Sequence, residues 1–135
     1  MPDPLLALPD VERLIVDVLR NRTELATATV DNKPPAGFDG TQAVVLVSRT
    51  GGVWIDDQHL DLPLVDLEVY GPTKTAAHAL MQLARAAVFQ LRGTVYGGAV
   101  VTDFQETDGP RWLPDYNRPT GNRYRNTVRL TLRPI

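Results

Sequence analysis

The sequence predicts an α+β fold, in which a single mixed, mainly antiparallel β-sheet carries two helices packed on one face. Three observations support this prediction. Apolar residues recur at helical spacing in two segments, 9–20 and 73–92, and strand-like segments follow each of them. The length of 135 residues and the hydrophobic content of 43% suit one domain with its own core. We therefore expect residues 1–135 to form a single domain.

The first helix is predicted over residues 9–20. Its apolar side chains fall at i, i+3, i+4 and i+7, which is one face of a helix: Val11, Leu14, Ile15 and Val18. Pro9 is suited to the first turn, and Arg20 complements the helix dipole at the end.

Before the second helix we expect a short strand or extended arm over residues 25–30 and two further strands. Residues 43–47 are apolar on both faces, which is typical of a covered, central strand, and we expect Gly51-Gly52 to end it. Residues 60–70 alternate, which indicates a half-exposed strand. Asp66 and Glu68 share its polar face, and we expect arginines of an adjacent strand to pair with them.

The second helix is predicted over residues 73–92, with Gly93 closing it. Phe89 falls in the middle of its largely polar side, and Met81 falls at the edge of that side. It is either part of an interface or an isolated exposed aromatic residue, and both interpretations stay open. The residues expected to face the sheet are Ala76, Ala77, Leu80, Leu83, Ala84, Ala87, Val88 and Leu91.

The C-terminal quarter combines a strand over 100–106, a long Pro/Gly/Arg-rich loop over 107–122 and a final strand. In the final strand, residues 123–133, apolar and polar positions alternate, so that arginines and threonines line one face. These arginines pair with carboxylates across strands or between subunits, form a solvated face, or follow a nucleic-acid backbone. The formal charge of -2 argues against the last, because nucleic-acid binders are usually strongly basic.

The near-neutral total hides an uneven charge distribution. Residues 111–135 hold six arginines against Asp115, a charge of +5, and residues 1–110 carry -7. Such unlike parts can meet inside a monomer or between neighbouring copies.

The composition offers little for catalysis, and we predict no enzyme, no cofactor and no metal. The chain has no cysteine, and neither His59 nor His78 has a second histidine at the spacing of a metal pair. Ser48 lies outside any glycine-flanked nucleophile turn, and no phosphate-binding loop is present. The acidic start and the lack of a 20-residue apolar run predict a soluble, cytosolic chain without signal peptide or membrane span.

Two segments carry a family resemblance: residues 10–19, Asp-Val-Glu-Arg-Leu-Ile-Val-Asp-Val-Leu, and residues 61–71, Asp-Leu-Pro-Leu-Val-Asp-Leu-Glu-Val-Tyr-Gly. With Thr73 and an alanine-rich helix directly after, the chain resembles the tail terminator proteins of long-tailed phages, particularly those infecting actinobacteria. The resemblance spans nearly the whole chain, although the loop over 107–122 matches no family pattern.

The resemblance implies a structural virion protein at the head-tail junction, assembled in the host cytoplasm. Copies would form a homo-oligomeric ring, a hexamer, that caps the tail tube, stops its elongation and docks the head connector. Its partners would be its own copies, the major tail tube protein and the head-tail connector protein, with DNA only passing through. The alternatives are a head-closure or neck protein of the same junction and, from another class, a small nucleic-acid-binding domain.

Under this interpretation, aromatic and arginine side chains are the expected contacts to a neighbouring copy or the tube, because these types are enriched in interfaces. The candidates are Phe89, Arg111, Trp112, Tyr116, Arg118, Arg123, Arg125 and Arg129. An acidic channel would keep DNA from attaching through phosphate repulsion. The candidates for its lining are Asp56, Asp57 and Asp61.

Overall fold

The computed structural model describes residue 5, residues 7–55 and residues 59–135. In these residues the chain forms two helices and six strands, and a 3₁₀ turn at Thr23–Leu25 follows the first helix. The elements are α1 (Val11–Arg20), β1 (Thr29–Asp31), β2 (Val44–Ile55), β3 (Leu60–Gly71), α2 (Lys74–Phe89), β4 (Val95–Tyr96), β5 (Ala99–Trp112) and β6 (Asn122–Pro134).

The six strands form one sheet in the order β1-β2-β3-β6-β5-β4. Only β1 and β2 pair in parallel, and the other neighbours are antiparallel. The expected fold class is therefore confirmed. Residues 44–47 of the predicted central strand belong to β2, which lies second from the edge, and the centre is occupied by β3 and β6.

Both helices pack on one face of the sheet and enclose the main core with it. Each helix begins at a side-chain cap: the Asp10 carboxylate accepts from the Glu12 amide at 2.9 Å, and the Thr73 hydroxyl accepts from the Ala76 amide at 3.0 Å. The core between the layers includes Leu14, Ile15, Leu19, Val45, Val47, Val65, Leu67, Val69, Met81, Val88, Val128, Leu130 and Leu132.

The prediction that Gly51-Gly52 ends the strand is wrong, because β2 continues through both glycines to Ile55. A bulge between Arg49 and Gly51 absorbs them, with φ values of 141° and 113° that other residues rarely adopt. A side chain on Gly52 would also collide with the backbone, since its Cβ would lie 2.2 Å from the Leu62 carbonyl oxygen.

The predicted loop over 107–122 is also shorter in the structure. The strand β5 runs on to Trp112, and the loop covers only residues 113–121. Register shifts between Glu106 and Asp108 and between Asp108 and Arg111 accommodate Gly109 and Pro110 within the strand.

The buried side of α2 differs from the predicted one. Met81 is completely buried, whereas Leu83 is 43% exposed. The helix ends at Phe89, three residues before the predicted Arg92. Arg85 of the helix bonds to Glu106 of β5, whereas Leu83 lines a cavity with Leu25 of the 3₁₀ turn, so the helix is rotated toward β5, which the period of the sequence does not reveal.

Candidate assembly surfaces

The face of the sheet opposite the helices, called here the outer face, holds the arginines of β6. Arg125 donates from Nε to Asp66 Oδ2 at 2.8 Å and from Nη2 to the same oxygen, and the Thr127 hydroxyl donates to Oδ1 at 2.6 Å. Arg123 Nη1 lies 3.5 Å from Glu68 Oε2. The predicted pairing of both carboxylates with arginines of an adjacent strand is confirmed. The hydrogen bond to Asp66 also raises the pKa of Arg125.

Further along β6, Arg129 and Arg133 are exposed. Arg129 donates to the amide oxygen of Gln105 at 2.6 Å. Neither arginine has a carboxylate within 4.0 Å in the described part of the chain. The four outer-face arginines of β6, called here the ladder, therefore divide into a half that is paired within the chain and a half whose charge faces solvent.

The loop over 113–121 is fastened to the outer face by Asp115. Its carboxylate accepts from the Tyr70 hydroxyl at 3.0 Å, from Arg118 Nη1 at 2.8 Å and from the Asn117 amide at 3.0 Å. The Arg118 guanidinium also lies 4.9 Å from the centroid of the Phe38 ring. Arg118 is therefore engaged within the chain.

These contacts explain two pKa shifts. Desolvation, together with the hydrogen bond to Asp115, raises the pKa of Tyr70 to about 12. Burial alone would raise the pKa of Asp115, but the hydrogen bonds from Arg118, the Asn117 amide and Tyr70 outweigh it and lower that pKa. The hydrogen bonds of Asp115 to Tyr70, Arg118 and Asn117 are called here the clamp. Near neutral pH the clamp thus holds a neutral tyrosine against an ionised carboxylate.

The three aromatic candidates are exposed but do not form one patch. Tyr116 is 97% exposed, and Trp112 is 44% exposed with Lys74 Nζ 4.2 Å from its ring centroid. Phe89 is 50% exposed and packs against Phe104 with ring centroids 4.7 Å apart. Lys74 is the first residue of α2 and Phe89 the last, so the helix, about 24 Å long, separates the two exposed sites. Arg111, also exposed, lies 3.4 Å from the Asp108 carboxylate.

The acidic candidates for a channel lining are only partly described. Asp56 and Asp57 lie outside the described residues. Asp61 is 7% exposed, and Arg49 donates to its two oxygens from Nη1 at 2.9 Å and from Nη2 at 2.7 Å. Its charge is thus balanced inside the chain, and a channel role for the three residues stays a prediction.

An exposed site that the sequence reasoning missed is the hairpin arm, residues 51–55 of β2 with residues 60–64 of β3. Val53 is 61% exposed, Trp54 55% and Ile55 36%. In the described chain β1 pairs only with Val44–Leu46, which leaves the outer edge of the arm uncovered. The apolar run Val53-Trp54-Ile55 could have indicated this strand, but it lies beyond Gly51-Gly52, where the strand was predicted to end.

The described residues contain no group of three or more metal-ligating side chains that could hold an ion. His78 packs its ring against Tyr124, with centroids 5.3 Å apart. Among the same residues, no helix is both long and apolar enough to cross a membrane.

Comparison with known proteins assigns the chain to a family. Residues 7–133 match the family described as phage tail termination protein. The chain belongs to this family. Membership identifies it as a structural protein of a phage-type tail, and the predicted family resemblance is confirmed.

A solved structure described as the virion of a native gene transfer agent particle is similar in fold. Its TM-score is 0.68 at 16% sequence identity, and the match covers 91% of this chain and 94% of that one. At this identity the likeness concerns the fold. No curated protein matches the sequence.

Proposed function

We propose that copies of this chain form a six-membered ring that caps the tail tube, stops its elongation and presents the surface to which the head connector docks. Membership of the tail termination family over residues 7–133 carries the proposal. The chain acts through its contacts and performs no reaction. It works in the virion, at the junction of tail and head, after assembly in the host cytoplasm.

The exposed aromatic and arginine side chains support an assembly role. Aromatic residues and arginine are the types that dominate interface cores. Trp112 lies beside Lys74 at one end of α2 and Phe89 ends the helix at the other, while Arg111 on β5 and Tyr116 in the loop over 113–121 are exposed elsewhere, so that the monomer presents separate contact sites. We assign them to contacts with a neighbouring copy or with the tube, and Arg129 belongs with them because it has no carboxylate partner in the described chain.

The pairing inside the ladder disfavours the nucleic-acid alternative. A binder of nucleic acid needs its arginines free for phosphates. Arg123 and Arg125 are instead bonded to Glu68 and Asp66 across the sheet, and Arg118 is bonded to Asp115.

The proposal is tested by adding the purified chain to polymerising major tail tube protein and measuring tube lengths by electron microscopy. We expect short tubes with the chain at one end only. A variant combining Trp112→Ala and Tyr116→Ala should cap less well, while Lys33→Ala, an exposed change remote from these aromatics in sequence, serves as control. Tubes of unchanged length would contradict the proposal. Binding to the connector without any effect on length would point to a neck protein.

The acidic lining of the channel is proposed for Asp56 and Asp57. DNA passing through the ring should meet negative charge there, because repulsion of phosphates keeps it from attaching. Phage carrying Asp56→Lys with Asp57→Lys should eject DNA more slowly from the particles that assemble. Unaltered infectivity would count against the lining.

A further inference from the structure

Most charged side chains of the described chain are paired within it, but two sets beside exposed apolar surface are not. Among the described residues, Asp10 and Glu12 at the start of α1 have no cationic partner within 4.0 Å, and neither Arg129 nor Arg133 on β6 has an anionic one. These two anions and these two cations thus lie on different parts of the molecule.

The first surface, called here the acidic knob, consists of Leu8, Asp10, Glu12 and Trp54. Trp54 and Leu8 line a cavity of about 270 Å³ together with Arg49 and Asp61. Glu12 lies next to it, since its Oε2 accepts from the Arg49 amide at 2.7 Å. The exposed Trp54 thus lies beside the Arg49–Asp61 pair and close to Glu12, whose carboxylate has no cationic partner among the described residues.

The knob is held in a fixed position. Besides the two hydrogen bonds to Asp61, Arg49 donates from Nε to the Gly51 carbonyl at 2.9 Å. The arginine therefore ties the base of the hairpin arm both to β3 and to α1. A contact surface that is already ordered loses little conformational entropy on association.

The second surface, called here the basic face, lies on the outer face of the same sheet and consists of Leu60, Leu62, Leu64, Arg129 and Arg133. The three leucines are partly buried, and Leu64 stands opposite Arg129 in the register of β3 and β6. Phe38 covers the outer face only at the other end, over Val44, Leu46 and Tyr70. The basic face is therefore apolar in its middle and positive at its side.

The two surfaces point to opposite sides of the sheet. Trp54 of β2 pairs with Asp61 of β3, so both side chains lie on the same side of the sheet. Side chains alternate between faces along a strand, so Leu62 and Leu64 lie on the other side. One copy cannot bring its own knob onto its own basic face. A contact between unlike surfaces joins copies head to tail, and such contacts close into rings when the rotation permits.

We propose that the acidic knob of one copy docks on the basic face of the next, and that this is the contact that builds the ring of the proposed function. Charge complementarity selects a second copy as the occupant: Trp54 and Leu8 meet the leucines, while Asp10 and Glu12 meet Arg129 and Arg133. A two-fold arrangement would instead set like charges against each other.

The absence of cysteine from the chain permits a direct test by crosslinking. Trp54→Cys and Thr131→Cys, the latter on β6 among the residues of the basic face, are purified separately and mixed under oxidising conditions. A disulfide forms only where Cα atoms come within about 7 Å. We expect a crosslinked dimer in the mixture and little in either variant alone. Ala79→Cys, exposed on α2, replaces each partner in turn as the control.

Charge variants provide a second measurement. Arg129→Glu with Arg133→Glu should raise the concentration for half-assembly by about tenfold or more, because like charges would then meet. Asp10→Ser should raise it less while keeping the helix cap, since serine caps as well as aspartate. Lys33→Glu, which reverses an exposed cation of neither surface, should leave it unchanged.

The possible failures are distinguishable. Two results together would overturn the docking contact and leave the proposed function standing. Rings would form although Trp54→Cys and Thr131→Cys do not crosslink, and they would form equally well with Arg129→Glu and Arg133→Glu. Strong crosslinking of Trp54→Cys with itself would show a two-fold contact and likewise overturn it. If the chain leaves tail tubes unchanged in length, the proposed function fails regardless of how copies contact each other.

Discussion

Replacement of Asp66 by asparagine should cost far more stability than removal of an arginine from the exposed half of the ladder. Asp66 is 3% exposed and accepts two hydrogen bonds from Arg125 and one from Thr127. Asparagine keeps the shape and one acceptor oxygen but removes the charge and presents an amide group to the guanidinium. Arg133→Gln is the matched control, because Arg133 is exposed and has no ion pair in the described chain.

The magnitude follows from the burial of the two partners. Hydrogen bonds to charged groups contribute about 1.5–3 kcal/mol each, and they are not additive. The Asp66 side chain is 5% exposed and that of Arg125 32%, so water compensates only in part for the lost contacts. We expect Asp66→Asn to lower the free energy of unfolding by about 2–4 kcal/mol and Arg133→Gln to change it by less than about 0.5 kcal/mol.

Urea denaturation measures both values. With an m value of about 2 kcal/mol/M, the Asp66→Asn midpoint should fall by about 1–2 M at unchanged m. A double-mutant cycle with Arg125→Gln should show strong coupling between the two sites. Equal, small effects of Asp66→Asn and Arg133→Gln would refute the division of the ladder into a paired and an exposed half.

Four further outcomes are expected. Because the pKa of Tyr70 is raised to about 12, the stability that it contributes is complete below pH 10 and is lost as pH rises toward 12; denaturation across this range should show a shallower loss for Tyr70→Phe, and equal slopes would contradict the clamp. The hydrogen bond from Arg85 lowers the pKa of Glu106, so this pair stabilises the fold above pH 4.5 and weakens as pH falls; Glu106→Gln should flatten the acid limb of the stability curve. Gly52→Ala should destabilise more than Gly51→Ala, because both have positive φ but only the Cβ on Gly52 meets backbone atoms, and thermal melts that rank them the other way would refute the close contact. Tyr116→Ala should change the free energy of unfolding by less than about 0.5 kcal/mol, since its side chain is 97% exposed, and yet reduce assembly in light scattering; loss of stability without loss of assembly would remove it from the interface.

The sequence was most informative where local patterns decide the structure. The spacing of Val11, Leu14 and Ile15 predicted α1, and the alternation along β3 and β6 predicted that Asp66 would face arginines. In each case the side-chain period and the hydrogen-bonding groups of nearby residues determine the element.

The missed features depend on contacts between distant segments. Gly51-Gly52 and Gly109-Pro110 are typical of turns, but bulges against β3 and β6 keep both within strands. For that reason the hairpin arm was not foreseen and the loop after β5 was predicted too long. The orientation of α2, which buries Met81 rather than Leu83, likewise depends on a distant segment, because Arg85 and Phe89 of the helix contact Glu106 and Phe104 of β5.

The sequence offered interface candidates by residue type, and their role in an interface stays a prediction. It could not show which of them are free to make a contact, because that depends on partners far away in sequence. Arg118, for example, is taken up by Asp115 and Tyr70, which folds the loop onto the sheet. Trp112 and Tyr116 stay exposed.

The central claim is that this chain ends the growth of a tail and joins it to the head. The most direct measurement is electron microscopy of particles made without the chain, with tail lengths and head attachment scored against particles made with it. The account predicts tails of uncontrolled, greater length that carry no heads, and recovery of normal particles when the chain is supplied. Tails of normal length attached to heads in its absence would contradict the account.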